Sequence, residues 1–287
     1  MARTSLDHPA LQFQAPGNIL HGVPLKEILG PELVRLIGES FRRIHPRFDR
    51  RKFVSRATEG LDQLELSQRA RHIGTMIAEQ LPQPFSELSR VLITSLGPEL
   101  TKTEGNGLAP FFYLPHTCVI SDFGVEDFRN GMRANYEITR RFSAEASIRP
   151  FLVRYRDECL AQLTDWTSDL SPHVRRLVSE GTRPRLPWAT RLKEFQQNPR
   201  LSLGLLELLK DDPELYVRRS VANHLGDILK DHPDVAYEVC VRWLREVRAR
   251  STSSERSGAR KWIIRHAVRL PARKGDSRAV ELRVKAR

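Results

Sequence analysis

Carboxylates and arginines recur together in this sequence at a spacing that could support chemistry on a charged polymer. Glu145 and Glu180 each end a six-residue motif that begins with two arginines. A third copy ends at Asn223 and a weaker one at His266, so successive copies are 35, 43 and 43 residues apart. Basic residues repeated along a surface, with a few acids among them, indicate a reaction on a polyanion.

The acids of the motif have an ordinary interpretation and a functional one. In the first two copies the second arginine lies four residues before the glutamate, which suits an intrahelical ion pair worth roughly 0.3 kcal/mol. Alternatively, Glu145 and Glu180 occupy equivalent places on neighbouring repeats, about 8–10 Å apart. Asp227, one helical turn beyond Asn223, could then reach the same surface.

Three carboxylates converging on one groove would repel one another unless a cationic ligand lay among them. The sequence predicts that arginines line this groove: Arg140, Arg149, Arg175, Arg183, Arg185 and Arg218.

One aromatic residue is expected on the same charged face. Trp188 follows the Glu180 helix in a segment that Pro184 and Pro187 make stiff and that is rich in arginine. A tryptophan beside a carboxylate is a good receptor for a cation. Trp166 and Tyr216 are further candidates for substrate contact, although a single aromatic near a helix end more often packs between helices.

The composition favours a nucleic-acid partner. The 287 residues carry 47 Lys and Arg against 35 Asp and Glu, a formal net charge of +12, which attracts polyanions. The three cysteines are dispersed, without CxxC pairs, which argues against a disulfide framework or structural zinc and favours a reducing cytoplasm. No long apolar run or signal pattern indicates a membrane. Phosphate loops, HExxH and GxSxG are absent, so neither a metal nor another cofactor is expected.

The hydrophobic periodicity predicts an all-α protein of paired helices, and the motif spacing predicts a HEAT-like solenoid. We expect a flexible N-terminal extension at 1–22, the repeat domain at 23–280, and a basic tail at 281–287. The glycine-rich stretch 98–110 is predicted to be a loop. The principal helices are predicted at 51–64, 65–81, 85–96, 125–141, 144–163, 172–181, 203–210, 214–230, 235–247 and 255–269.

Three long runs carry a family resemblance: Phe142–Phe151, Val174–Trp188 and Leu215–Ile228. With Lys230–Pro233 and Trp262–His266, they resemble the AlkC branch of the AlkC/AlkD alkylpurine DNA glycosylases. The resemblance covers roughly residues 24–279. It implies HEAT-like repeats wrapped around double-stranded DNA, and hydrolysis of the N-glycosidic bond of cationic methylated bases, 3-methyladenine above all. It also implies active-site carboxylates at Glu145, Glu180 and Asp227, with the aromatic at Trp188 and arginines on the phosphates.

Under this interpretation the methylated base is already a cation and leaves without a general acid. The carboxylates stabilise the oxocarbenium-like sugar and position water, and the protein acts as a monomer. The competing interpretation is a non-catalytic basic HEAT scaffold that binds nucleic acid or a protein. Such a scaffold would keep the arginines but would not need the three acids or Trp188.

Overall fold

The computed structural model describes residues 7–248 and 253–287. The regular elements within these ranges are all helices, as the periodicity predicted. Contacts divide the chain into two compact units, Met1–Tyr155 and Arg156–Arg287. Within the described ranges, none of the helices is both long and apolar enough to cross a bilayer.

The first unit consists of helices that pack in pairs: α2 on α3, α4 on α6, and α5 on α7. Short 3₁₀ turns at Leu25–Ile28, Leu61–Gln63 and Ala109–Tyr113 connect some of them. The helices are α1 (Pro9–Gln12), α2 (Pro31–Ile44), α3 (Arg50–Thr58), α4 (Leu66–Ala78), α5 (Phe85–Thr94), α6 (Leu114–Phe123), α7 (Phe128–Thr139) and α8 (Arg149–Arg154).

The second unit contains the repeats that matter for the candidate site. Its helices are α9 (Arg156–Trp166), α10 (Pro172–Gly181), α11 (Lys193–Gln197), α12 (Arg200–Leu209), α13 (Leu215–Asp231), α14 (Pro233–Arg248), α15 (Ser254–Ala267), α16 (Arg269–Arg273) and α17 (Ser277–Lys285). Helices α10, α13 and α15 lie side by side in one layer, while α12 and α14 pack against α13. The second, third and fourth motif copies therefore lie on adjacent, equivalent helices.

Apolar residues at helical spacing fix the side of α10 and α13 that faces the core. Val174, Leu177 and Val178 of α10 are buried, as are Val217 and Val221 of α13. Each such side chain contributes about 1.5–3 kcal/mol by leaving water. The motif residues that lie between these buried positions are consequently held at one edge of the contact between α10 and α13.

Two predicted helices are interrupted in the structure. The predicted helix 144–163 is divided: residues 145–148 form a turn, α8 follows, and Tyr155 separates α8 from α9. Pro150 suits the first turn of a helix but not its interior, which explains why α8 begins there. The predicted helix 51–64 ends at Thr58, and Gly60 then adopts φ +65° before the 3₁₀ turn.

Both predicted end segments contain helical structure among the described residues. Residues 1–6 of the predicted extension lie outside the described residues. Beyond them, α1 packs on α2, and the Phe13 ring lies 5.9 Å from that of Phe112. The predicted tail boundary at residue 281 falls inside α17, where Leu282 and then Ala286 are buried.

Candidate active site

A single guanidinium connects two of the predicted carboxylates. Arg183, in the turn after α10, donates from Nη1 to Glu180 Oε1 at 2.6 Å and from Nε to Asp227 Oδ2 at 2.8 Å. Glu180 lies on α10 and Asp227 on α13, and the side chains of all three residues are buried. The structure therefore brings these two acids together across the contact between equivalent helices.

The remaining carboxylate oxygens also accept hydrogen bonds. Ser220 Oγ of α13 donates to Glu180 Oε2 at 2.6 Å, and Lys230 Nζ donates to Asp227 Oδ1 at 2.9 Å. Arg176 Nη2 lies 3.7 Å from Glu180 Oε2, so the predicted i,i+4 pair exists here beside the pair with Arg183.

Opposing effects act on the Glu180 carboxyl. Burial alone would raise its pKa, but the positive charges of Arg176 and Arg183 and the hydrogen bonds from Ser220 and Arg183 outweigh burial and lower the pKa. Glu180 is thus a buried carboxylate that stays ionised near neutral pH. It is suited to stabilise positive charge or to accept a proton from water, but not to donate one.

A buried histidine fixes the two acid-bearing helices relative to each other. His224 of α13 contacts the backbone oxygen of Ser179 through Nδ1 at 3.0 Å and Ser202 Oγ through Nε2 at 3.1 Å. Complete burial lowers its pKa to about 4, so the ring is neutral at physiological pH. Because Ser179 precedes Glu180, this contact sets the register between Glu180 and Asp227.

Trp188 is where the sequence predicted an accessible aromatic. Its side chain is 86% exposed, and it is the only non-glycine residue with positive φ (63°) among the described residues. This backbone conformation costs about 1–2 kcal/mol for an L-residue. An exposed ring held in a strained turn gains nothing from burial, which points to a binding role.

Glu145 has a different environment from the one expected. It lies in the turn before α8, not on a helix with its arginines, and accepts a hydrogen bond from Ser143 Oγ at 2.8 Å. The ion pair predicted with Arg141 is replaced by one between Arg141 and Glu137 at 2.9 Å. Glu145 belongs to the first unit, and its role in the site stays a prediction.

Several predicted groove residues have structural partners instead. Arg149 is 2% exposed and Trp166 is 8% exposed. Arg175 makes a bidentate pair with the buried Asp212, with Nε to Oδ2 at 2.6 Å. Arg218 donates to the backbone oxygens of residues 212 and 213. Arg175 and Arg218 thus have protein partners, and Arg149 and Trp166 are buried, while the predicted roles of all four in the groove stay predictions.

The other candidates remain nearer the surface. Arg185 is paired with Asp231 at 2.7 Å, and Arg140 with Glu99 at 2.7 Å. Tyr216 is half-buried, with the Arg176 guanidinium 4.9 Å from its ring centre. Because Arg176 contacts both Tyr216 and Glu180, the Tyr216 ring lies near the Glu180 carboxylate.

Sequence reasoning missed a second group of cations beside the acids. Arg269 of α16 donates to Asn223 Oδ1 at 3.1 Å and to the backbone oxygen of His266 at 2.6 Å. Burial and the positive charges of Arg183 and Arg273 together lower the pKa of Arg269. Burial and the positive charges of Arg269 and Arg219 lower the pKa of His266 to about 4. In the described ranges no carboxylate pairs with Arg219, Arg269 or Arg273. The signal in the sequence was the last position of the third and fourth motif copies, Asn223 and His266, both of which contact Arg269.

The geometry defines a class: a helical-repeat protein with two buried carboxylates that share a guanidinium, arginines without a carboxylate partner among the described residues, and an exposed tryptophan. No family model matches the chain. A similar structure is that of Pseudomonas fluorescens alkylpurine DNA glycosylase AlkC bound to DNA containing an abasic site analog. It has a TM-score of 0.78 and 34% identity, over 91% of this chain and 68% of that one.

A curated relative is the uncharacterized protein YhaZ of Bacillus subtilis (strain 168). It is 32% identical over 259 residues, which is 90% of this chain and 67% of YhaZ. The chain thus spans about two thirds of the length of both. It belongs to the AlkC branch of the AlkC/AlkD-like alkylpurine DNA glycosylases, as the sequence motifs indicated.

Proposed function

We propose that this protein is a DNA glycosylase that hydrolyses the N-glycosidic bond of cationic alkylated bases in double-stranded DNA, with 3-methyladenine as the main substrate. The observation that carries the proposal is the pair of buried carboxylates, Glu180 and Asp227, held on one guanidinium. Family membership supports it, since the similar structure is an alkylpurine DNA glycosylase bound to DNA.

The proposed reaction needs charge stabilisation and a placed water but no acid. The bond to the base breaks with its electron pair going to the base, which becomes neutral. Positive charge then develops on the sugar, where Glu180 and Asp227 stabilise it. Water attacks the sugar carbon and loses a proton to one of these carboxylates. The low pKa of Glu180 keeps that carboxyl in the required form. We assign Glu145 a supporting role.

The uncompensated arginines supply the proposed grip on DNA. Arg219 and Asn223 are one turn apart on α13, and Asp227 follows after another turn. Arg269 is joined to Asn223, so its charge lies beside the carboxylates. Neighbouring positive charges that are not paired with acids favour an anionic ligand, and phosphodiesters are that ligand in DNA.

Replacing Arg269 by glutamine should weaken DNA binding and reduce its salt dependence. Loss of one phosphate contact lowers the slope of log K against log salt by about 0.9. Glutamine can keep the hydrogen bond to Asn223, and fluorescence anisotropy of a labelled duplex across a salt series gives the slope. Arg278→Gln is the control, because Arg278 is already paired with Asp234. An unchanged slope in Arg269→Gln would exclude Arg269 from the phosphate contacts.

Trp188 is expected to contact the substrate, and its strained backbone is expected to lower the stability of the protein. Trp188→Ala and Trp188→Gly should both lower excision, about tenfold, since each removes the ring that faces the cationic nucleotide. Only glycine relieves the positive φ, so Trp188→Gly should be about 1 kcal/mol more stable than Trp188→Ala. Urea unfolding and excision rates test both parts. Equal stability of the two variants would show that the turn is not strained.

The direct test of the proposal is release of free methylated base from methylated duplex DNA by the purified protein. Products are separated by chromatography, and the abasic DNA is checked for strand breaks, because a monofunctional enzyme leaves the backbone intact. The alternative, a non-catalytic basic scaffold, predicts duplex binding without base release. Only the group of cations formed by Arg219, Arg269 and Arg273 supports this alternative, and a scaffold would not explain the two buried acids.

A further inference from the structure

Asp227 is held by two cations that differ in their access to solvent. Arg183 lies on Oδ2 at 2.8 Å with a side chain that is 10% exposed. Lys230 lies on Oδ1 at 2.9 Å with a side chain that is 54% exposed. The Asp227 side chain itself is 3% exposed, so these contacts account for both oxygens of a buried carboxylate.

The two cations also differ in how firmly they are held. Arg183 bridges to Glu180 as well, and its planar guanidinium satisfies two acids in one fixed geometry. Among the described contacts, the ammonium of Lys230 bonds to Asp227 alone, at the end of a flexible stem on the last turn of α13. An ion pair with an exposed, flexible lysine is weak, whereas removing a buried partner from a carboxylate is costly.

We propose that Lys230 is an exchangeable counter-ion of Asp227. It occupies Oδ1 in the free protein, and the positively charged nucleotide replaces it there, while Arg183 stays on Oδ2. The inference rests on the proposed function and adds the selection of charge to it.

Exchange explains how one buried carboxylate is compensated in the free protein and is still available to a cationic nucleotide. A cationic nucleotide that replaces Lys230 leaves Asp227 with the same number of positive partners, so no buried charge is left uncompensated. A neutral nucleotide offers no such replacement, so Lys230 stays on Oδ1 when a neutral nucleotide binds. The lysine therefore competes with a cationic nucleotide only, and its removal should strengthen binding of the cation more than binding of the neutral ligand.

The test compares two duplexes that differ only in the charge of one nucleotide. One carries a tetrahydrofuran abasic analogue, which is neutral, and the other a pyrrolidine analogue, which is cationic at neutral pH. Dissociation constants are measured by fluorescence anisotropy at one fixed salt concentration, and their ratio expresses the preference for charge. A contact between Lys230 and a phosphate would strengthen binding of both duplexes equally, so it would not change this ratio.

Lys230→Met should raise the preference for the cationic duplex about 2- to 5-fold, the range expected for loss of an exposed competing ion pair. Lys193→Met is the matched control, because it removes an exposed lysine from α11, and its ratio should equal that of the wild type. An unchanged or lower ratio in Lys230→Met overturns the exchange, as does an equal rise in Lys193→Met. A wild-type protein with no preference for the cationic duplex overturns the proposed function itself.

Discussion

Asp227→Asn should reduce release of 3-methyladenine by about 100- to 1,000-fold and leave the affinity for duplex DNA nearly unchanged. The substitution keeps the shape and the hydrogen-bonding oxygen but removes the negative charge that faces the developing cation. Single-turnover excision and duplex anisotropy measure the two quantities separately. The expected loss lies in the chemical step, since the proposed phosphate contacts are made by arginines that the change does not touch.

Asp212→Asn is the matched control for this prediction. Asp212 is also buried and both its oxygens also accept from a cation, in this case Arg175 alone, but no contact with Glu180 or Asp227 occurs among the described residues. Any effect that comes only from breaking a buried ion pair will therefore appear in both variants. Normal excision by Asp227→Asn, or an equal loss in Asp212→Asn, would contradict the assignment of Asp227.

The repeat architecture was readable from the sequence because it depends on periodic local patterns. Helical spacing of apolar residues placed α10 correctly at Pro172–Gly181, and the motif spacing predicted that α13 and α15 would be its equivalents. The interruption of the predicted helix 144–163 was harder to foresee. Tyr155 carries no helix-breaking signal, yet it ends α8 with φ −130° and ψ 52°, and its ring lies 5.3 Å from that of Phe128.

The pairing of charges was less predictable than the charges themselves. Glu180 and Asp227 were identified, but Arg183 was expected on phosphate and instead bridges them. An arginine motif does not specify which acid it will meet, since that depends on contacts between helices 40 or more residues apart in the chain. Arg269 was missed for the same reason: only the folded chain brings it to Asn223.

Arg183→Met should lower the free energy of unfolding at pH 7 by about 3–5 kcal/mol, the usual cost of removing one partner from a buried ion pair. Methionine keeps much of the volume but leaves Glu180 and Asp227 without their shared cation. Urea unfolding monitored by circular dichroism provides the measurement. Lys230→Met should cost about 1 kcal/mol or less, because the Lys230 side chain is 54% exposed and Arg183 stays on the same aspartate.

The pH dependence of the unfolding free energy distinguishes this electrostatic effect of Arg183 from a packing defect. In the wild type the pKa of Glu180 lies below its ordinary value of 4.5, so its ionised form contributes stability above that pH, and the contribution is lost as the pH falls through the lowered pKa. Without Arg183, burial shifts the pKa upward, and protonation removes the uncompensated charge at a higher pH. The difference in unfolding free energy between wild type and Arg183→Met should therefore narrow as the pH falls towards and below 4.5. A difference that stays constant with pH would show that Arg183 acts by packing and not as the counter-ion of the carboxylate pair.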